Sequence, residues 1–170
     1  MRMLVLGAGL QGAACAWDLL RSKGVTRVTI ADLHTDRLPA FLQASRSDRL
    51  AVAQLDVNDH AAVRTLMQGH DAAMSALPYY FNGHMAALAV EGNCHFSDLG
   101  GNTEIVLEQK KLHDRAREGG LSIIPDCGLA PGMVNILAAE GIRRLDKAEK
   151  VKIYVGGLPR HPEPPLNYQI

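Results

Sequence analysis

Short apolar runs separated by amphipathic stretches of ten or more residues repeat along the first 125 residues, and this alternation constrains the fold more than any other feature. Strands spaced in this way are joined by helical crossovers and pair in parallel. Six strands are predicted, at 3–7, 27–32, 51–56, 72–77, 94–98 and 121–125, each apolar on both faces as burial between two helical layers requires. The first predicted helix opens at Gly9-Leu10-Gln11-Gly12 and runs to a stop at Gly24. Later helices are predicted to follow Asp36, Asp59, Asn82 and Asn102, all good N-cap types, with the longest ending at Gly119-Gly120. The expectation is an α/β fold with a doubly wound parallel sheet.

Beyond Pro125 the pattern changes. Pro131-Gly132 sets up a helix over 133–145, a charged strand is predicted over 150–155, and Gly156-Gly157-Leu158-Pro159 and Pro162-Glu163-Pro164-Pro165 follow. The domains read as residues 1–130, the doubly wound part, and 131–170, a connecting helix with the start of an incomplete α+β substrate domain. A tail folded back on the sheet is the alternative reading.

Gly7-Ala8-Gly9-Leu10-Gln11-Gly12 ends the first predicted strand and opens the first helix, and Asp32 closes the next strand twenty residues past Gly12. In that context GxGxxG is the Rossmann fingerprint for NAD(P). Gly7 permits the tight turn, Gly9 lets backbone approach a pyrophosphate, and Gly12 lets helix and strand pack closely. Leu10 and Gln11 then offer free N–H groups at the positive end of the helix dipole. Asp32 is placed to accept from the adenosine ribose hydroxyls and to repel a 2′-phosphate, favouring NAD over NADP. Leu33 supplies no cation for such a phosphate, although His34 and Arg37 are near. Asp56 either bonds the adenine amino group, with Val57 on the ring, or simply ends its strand. Ser75-Ala76-Leu77-Pro78 is predicted to border the nicotinamide ribose at the switch point.

Lys plus Arg and Asp plus Glu both number 18 and aromatics make up 5%, so no field gathers nucleic acid or anionic membrane. A small neutral or zwitterionic substrate suits this balance. No stretch has the length of a secretory hydrophobic region or a membrane span. Cys15, Cys94 and Cys127 lie far apart without CxxC spacing, which suits a reducing compartment, and a cytoplasmic location is expected. His84 and His95 lack ligand spacing and read as solvated or core residues, so no metal is expected.

Several segments together resemble the saccharopine dehydrogenase family, and within it the lysine 6-dehydrogenase branch. They are Leu4 to Gly12, Ala76-Leu77-Pro78-Tyr79-Tyr80-Phe81-Asn82, Ser97-Asp98-Leu99-Gly100-Gly101, Ile123 to Asn135 with its Gly-Leu-Ala-Pro-Gly turn, and Tyr154 to Pro159. The resemblance implies a Rossmann domain joined to an α+β domain that supplies much of an amino-acid site, with a homo-oligomer expected for the complete protein. It further implies NAD-dependent oxidation of the ε-amine of L-lysine to allysine, in which hydride leaves the amine-bearing carbon and water hydrolyses the imine. A saccharopine-type dehydrogenase acting on a secondary amine, or a non-catalytic nucleotide-binding module, is the alternative.

Two residues are candidates for the chemistry. Tyr79, in the stretch after the fourth strand, either faces substrate and nicotinamide or packs as a loop tyrosine. Asp126, after the sixth strand, either meets a substrate ammonium or the nicotinamide amide, or caps the helix that follows. Gly128, Pro131 and Gly132 shape its loop and are predicted to bring backbone to the nicotinamide end. Asp98 is placed like Asp126 with the same two readings. Cys127 reads as a small buried residue.

Overall fold

The computed structural model describes residues 1–45 and 47–156. The chain divides into two compact units, Met1–Gly128 and Leu129–Ile170.

In the first unit, β1 (Arg2–Leu6), β2 (Arg27–Asp32), β3 (Leu50–Gln54), β4 (Ala72–Ser75), β5 (His95–Asp98) and β6 (Ile123–Ile124) form one parallel sheet in the order β3-β2-β1-β4-β5-β6. The helices α1 (Leu10–Arg21), α2 (Ala40–Gln43), α3 (His60–Gln68), α4 (Asn82–Glu91), α5 (Thr103–Lys110) and α6 (His113–Glu118) lie between them in sequence. Alternating side chains of β1 divide the core. Val5 joins Val28 and Ile30 against Ala13, Ala16 and Leu20 of α1, whereas Leu4 and Leu6 join Val63, Met67, Met85 and Ala89 of α3 and α4. Both faces of β1 are thereby removed from water, as its near-continuous apolar sequence requires.

The outer strands depart from that expectation. Val52 of β3 is 45% exposed and Ile124 of β6 is 55% exposed, because an edge strand has a neighbour on one side only and less helix above it. Pairing in β6 covers two residues rather than the five predicted.

Of the predicted caps, Asp59 accepts from Ala62 N–H and Asn102 from Glu104 and Ile105 N–H. Asn82 does not cap: it is the first residue of α4, 2% exposed, and its side chain accepts from the Ser75 hydroxyl instead. The region after Asp36 forms a 3-10 turn, Thr35–Arg37, before α2 begins past Pro39. The predicted long helix is broken at Lys111-Leu112 into α5 and α6. α1 ends at Arg21, three residues before Gly24, where Arg49 donates to the Leu20 and Val25 carbonyls and takes up acceptors the helix end leaves free.

In the second unit, α7 (Met133–Arg143) starts from Gly132 at φ +123°, a backbone conformation that favours glycine, and Asn135 Oδ1 accepts from Gly132 N–H at 3.0 Å. Pro131 thus precedes the cap rather than opening the helix. The strand predicted over 150–155 does not form; those residues are exposed and have no hydrogen-bonded neighbour strand among the described residues. Gly157-Leu158-Pro159 and the proline-rich segment lie outside the described residues.

Candidate functional site

The sheet order reverses between β1 and β4, which places the crevice of a doubly wound sheet at their carboxyl ends. β1 runs into Gly7, whose φ of +95° turns the chain and whose N–H donates to Ala31 O at 2.8 Å. A Cβ on Gly7 would stand 3.0 Å from Ala76 O, so the end of β1 and the segment Ala76-Leu77-Pro78 lie back to back. A Cβ on Gly12 would come inside 3.0 Å of the Gly7 carbonyl oxygen and 3.2 Å from Ala76 Cβ, so only a residue without a side chain lets α1 dock here. Gly9 is different. Nothing of the protein lies within 4 Å of a Cβ built there, and its φ of −65° is ordinary, so its missing side chain answers no internal packing demand. A turn, a close contact and an open approach are what the fingerprint asks of its three glycines. Gly9 caps α1, leaving first-turn N–H groups at Leu10 and Gln11, and no acidic side chain occupies that turn.

Asp32 is half-buried at the end of β2. Its Oδ2 accepts from Ala8 N–H at 2.6 Å and its Oδ1 from His34 N–H at 2.8 Å. The carboxylate expected to meet a ribose therefore ties the glycine loop to β2, a role the sequence did not disclose. Each oxygen retains acceptor capacity. Leu33 beside it is exposed. Asp56 Oδ1 accepts from both the N–H and the side-chain amide of Asn58, and its carbonyl from Asp59 N–H, which is the geometry of a turn ending the strand; Val57 packs on the core.

On the other side of the crevice a buried polar group lies under the loops. Ser75 and Asp98 are register partners at the ends of β4 and β5. Ser75 was expected to border a ribose, but it is fully buried and donates to Asn82 Oδ1 at 2.8 Å. Asp98 is 1% exposed, which opposes the substrate contact expected of it, and Asn102 rather than Asp98 caps the helix that follows. Its Oδ1 accepts from Gly100 N–H at 2.7 Å and Asp126 N–H at 3.2 Å, its Oδ2 accepts from the Gln109 amide at 2.6 Å, and its carbonyl accepts from Cys127 N–H at 2.7 Å.

Those bonds assemble the candidate catalytic residues. Gly100 (φ +75°) is covered by Asp126, whose Cα would lie 3.0 Å from a Gly100 Cβ; Gly101 (φ +126°) is covered by Tyr79, whose Cβ would lie 2.9 Å from a Gly101 Cβ. Tyr79 and Asp126, distant in sequence, thus both rest on one glycine pair. Asp126 itself has φ +59°, uncommon for a residue with a side chain and frequent at functional sites. Tyr79 is 44% exposed and meets Tyr80 edge-on at 5.7 Å. Cys127 is exposed rather than buried, because β6 stops two residues before Asp126 and leaves its loop uncovered. Partial burial and then the Asp98 and Asp126 charges push its thiol above the usual range, which opposes a nucleophilic role. Gly128 closes the first unit, while Pro131 and Gly132 belong to the second.

His95 Nδ1 accepts from Ser122 N–H at 2.9 Å, and the His84 ring lies 5.6 Å from that of His60. Among the described residues no three His, Cys, Asp or Glu side chains gather into a metal-sized group. No helix among them is long and apolar enough to cross a membrane. A cavity of about 510 Å³ opens elsewhere, beside the β6 edge, lined by Ala116, Leu121, Ile123 and Ile124 among others.

Residues 3–124 match the family model of the saccharopine dehydrogenase NADP binding domain. The chain belongs to the saccharopine dehydrogenase family. Among curated members of that family, the saccharopine dehydrogenase [NADP(+), L-glutamate-forming] of Pyricularia oryzae is 28% identical over 98% of this chain and 37% of its own length. The mitochondrial alpha-aminoadipic semialdehyde synthase of Mus musculus is 27% identical over 99% of this chain and 18% of its own. The chain thus spans little more than a third of the first relative and less than a fifth of the second. A solved structure, the apo L-Glu-forming saccharopine dehydrogenase of Saccharomyces cerevisiae, superposes with a TM-score of 0.70 at 21% identity, covering 84% of this chain and 30% of that one; this likeness shows the fold. The saccharopine dehydrogenase relationship agrees with the resemblance read from the sequence, and the family's domain is described as binding NADP.

Proposed function

We propose that this chain is the dinucleotide-binding part of an NAD(P)-dependent oxidoreductase that acts on an amine-bearing carbon of an amino acid. The observation that carries the proposal is the contrast among the three glycines: Gly7 and Gly12 are demanded by the protein's own packing, whereas Gly9 faces open space at a helix N-terminus. The residues present fit the group. The Gly9 backbone and the N–H groups of Leu10 and Gln11 would hold the pyrophosphate, Asp32 the adenosine ribose, Asp56 and Val57 the adenine, and Ala76, Leu77 and Pro78 the nicotinamide ribose. Gly128 would bring backbone to the nicotinamide end. When bound, the nicotinamide ring accepts or returns hydride. Tyr79 and Asp126 would orient the substrate amine against it, and the Asp126 carboxylate would stabilise the iminium that develops.

For the finer assignment, oxidation of the ε-amine of L-lysine with NAD is favoured by the Asp98-Leu99-Gly100-Gly101 and Val155-Gly156-Gly157-Leu158-Pro159 segments of the sequence and by Asp32, whose charge opposes a 2′-phosphate. The second reading, reaction at a secondary amine with NADP, is favoured by the names of the relatives. Calorimetry with NADH and NADPH separates the cofactor choices: tighter NADH binding supports the first, and equal or tighter NADPH binding removes the role given to Asp32. Amine-dependent reduction by the whole protein, assayed with lysine and with saccharopine, separates the substrates.

A further inference from the structure

Asp98 is buried and holds the loops after β5 and β6. One carboxylate oxygen receives Gly100 N–H from the loop after β5 and Asp126 N–H from the loop after β6, and both residues have positive φ. Its other oxygen is held by Gln109, which is 3% exposed and whose own Oε1 has no partner among the described residues. The second Gln109 amide contact reaches Asn82 O at 3.4 Å, and Asn82 binds Ser75 at the end of β4. A chain of buried contacts therefore connects the ends of β4 and β5 to the loop after β6, beneath the glycine pair on which Tyr79 and Asp126 rest.

We infer that Asp98 is a positioning residue of the dinucleotide site: its buried carboxylate fixes the backbone at Gly100 and Asp126, and through Gly100-Gly101 sets where Tyr79 and Asp126 meet the nicotinamide end. The inference rests on the dinucleotide reading above. Asp98 touches no ligand in this account. It acts through two N–H groups that would otherwise have to find other acceptors, and the adenine half of the crevice, built on β2 and β3, shares none of its contacts.

The 170-residue chain is titrated with NADH and with ADP-ribose, which is the same molecule without nicotinamide. Wild type is expected to bind NADH more tightly. Asp98→Ala is expected to weaken NADH at least tenfold while changing ADP-ribose less than about twofold. Asp98→Asn is expected to restore NADH binding, because an asparagine oxygen still accepts from Gly100 and Asp126, and its amide donates to Gln109 Oε1 once the Gln109 amide turns over. Should Asp98→Ala fail to fold, Gly100→Ala keeps Asp98 intact and pushes a methyl group into Asp126, and the same selective loss is expected. An unchanged ratio of NADH to ADP-ribose affinity in the folded variants overturns the inference, as does an Asp98→Asn variant no better than Asp98→Ala. Failure of wild type to bind either molecule overturns the dinucleotide reading itself, and is distinguishable because it precedes any mutation.

Discussion

Replacing Gly9 and Gly12 separately by alanine divides stability from binding in a way only this site geometry requires. At Gly12 the new methyl group meets backbone: it falls inside 3.0 Å of the Gly7 carbonyl oxygen and 3.0 Å from the carbonyl carbon, with Ala76 Cβ at 3.2 Å. α1 cannot easily retreat, because Ala13, Ala16 and Leu20 are locked into the core on the same face. Overpacking of this kind costs about 3 kcal/mol, and the better helix propensity of alanine returns about 1, leaving a net loss of about 2 kcal/mol. In a domain of this size that lowers Tm by about 6–8 °C. At Gly9 nothing of the protein is within reach and the backbone suits any residue, so the cap preference for glycine and the reduced freedom of the unfolded chain nearly cancel, within about 1 kcal/mol. The methyl group does occupy the approach to α1, and NADH affinity is expected to fall about 10- to 100-fold, or about 1.4–2.7 kcal/mol. Scanning calorimetry and isothermal titration of the two variants measure both quantities. A Gly9→Ala variant that melts early with unchanged affinity refutes the reasoning, as does a Gly12→Ala variant of wild-type stability.

Asp32→Ala is expected to weaken NADH about tenfold and narrow its margin over NADPH, while speeding amide exchange at Ala8, whose N–H loses its acceptor; unchanged exchange there removes the structural half of the role. In the whole enzyme, Asp126→Asn is expected to lower turnover with lysine by one to two orders of magnitude, roughly 1.4–2.7 kcal/mol, with little change in Tm; early melting at unchanged turnover makes Asp126 scaffold. The Asp71 carboxyl is held below its ordinary value of 3.8, first by the Arg2 backbone N–H and then by the Arg2 side chain. A depressed folded value means the contribution is full above the unfolded pKa and fades as pH falls through the folded one. Any Tm difference between wild type and Asp71→Asn at pH 7 is therefore expected to begin shrinking only below about pH 4 and to disappear at still lower pH, and a difference that grows on acidification contradicts this.

The fold was legible where the sequence repeats a period. The runs at β1 and β2 alternate residues for two opposite helical layers, and the four inner strands match their predicted ranges to within a residue or two. The edge strands were less legible, since exposure at Val52 and Ile124 follows from strand order, which no local pattern encodes. At the site, the glycines and Asp32 were readable because each answers a local backbone demand. Asn82 was misread because an asparagine before a helical stretch has the composition of a cap, and only its burial against Ser75 shows otherwise. Gln109 was invisible: it stands beside Lys110 and Lys111, and its meeting with Asp98 joins α5 to the end of β5, a contact that no local pattern encodes.

In the proposed function a dinucleotide lies across the carboxyl ends of β1 and β4 with its pyrophosphate over Gly9. Amide chemical-shift mapping of the isotopically labelled chain during NADH titration tests it most directly. Saturable shifts at Gly7–Gly12, Asp32–His34, Ala76, Leu77, Tyr79, Gly100, Gly101, Asp126 and Cys127 are predicted. Shifts confined to the β6-edge cavity around Ala116 and Leu121, or none at all, would contradict the account.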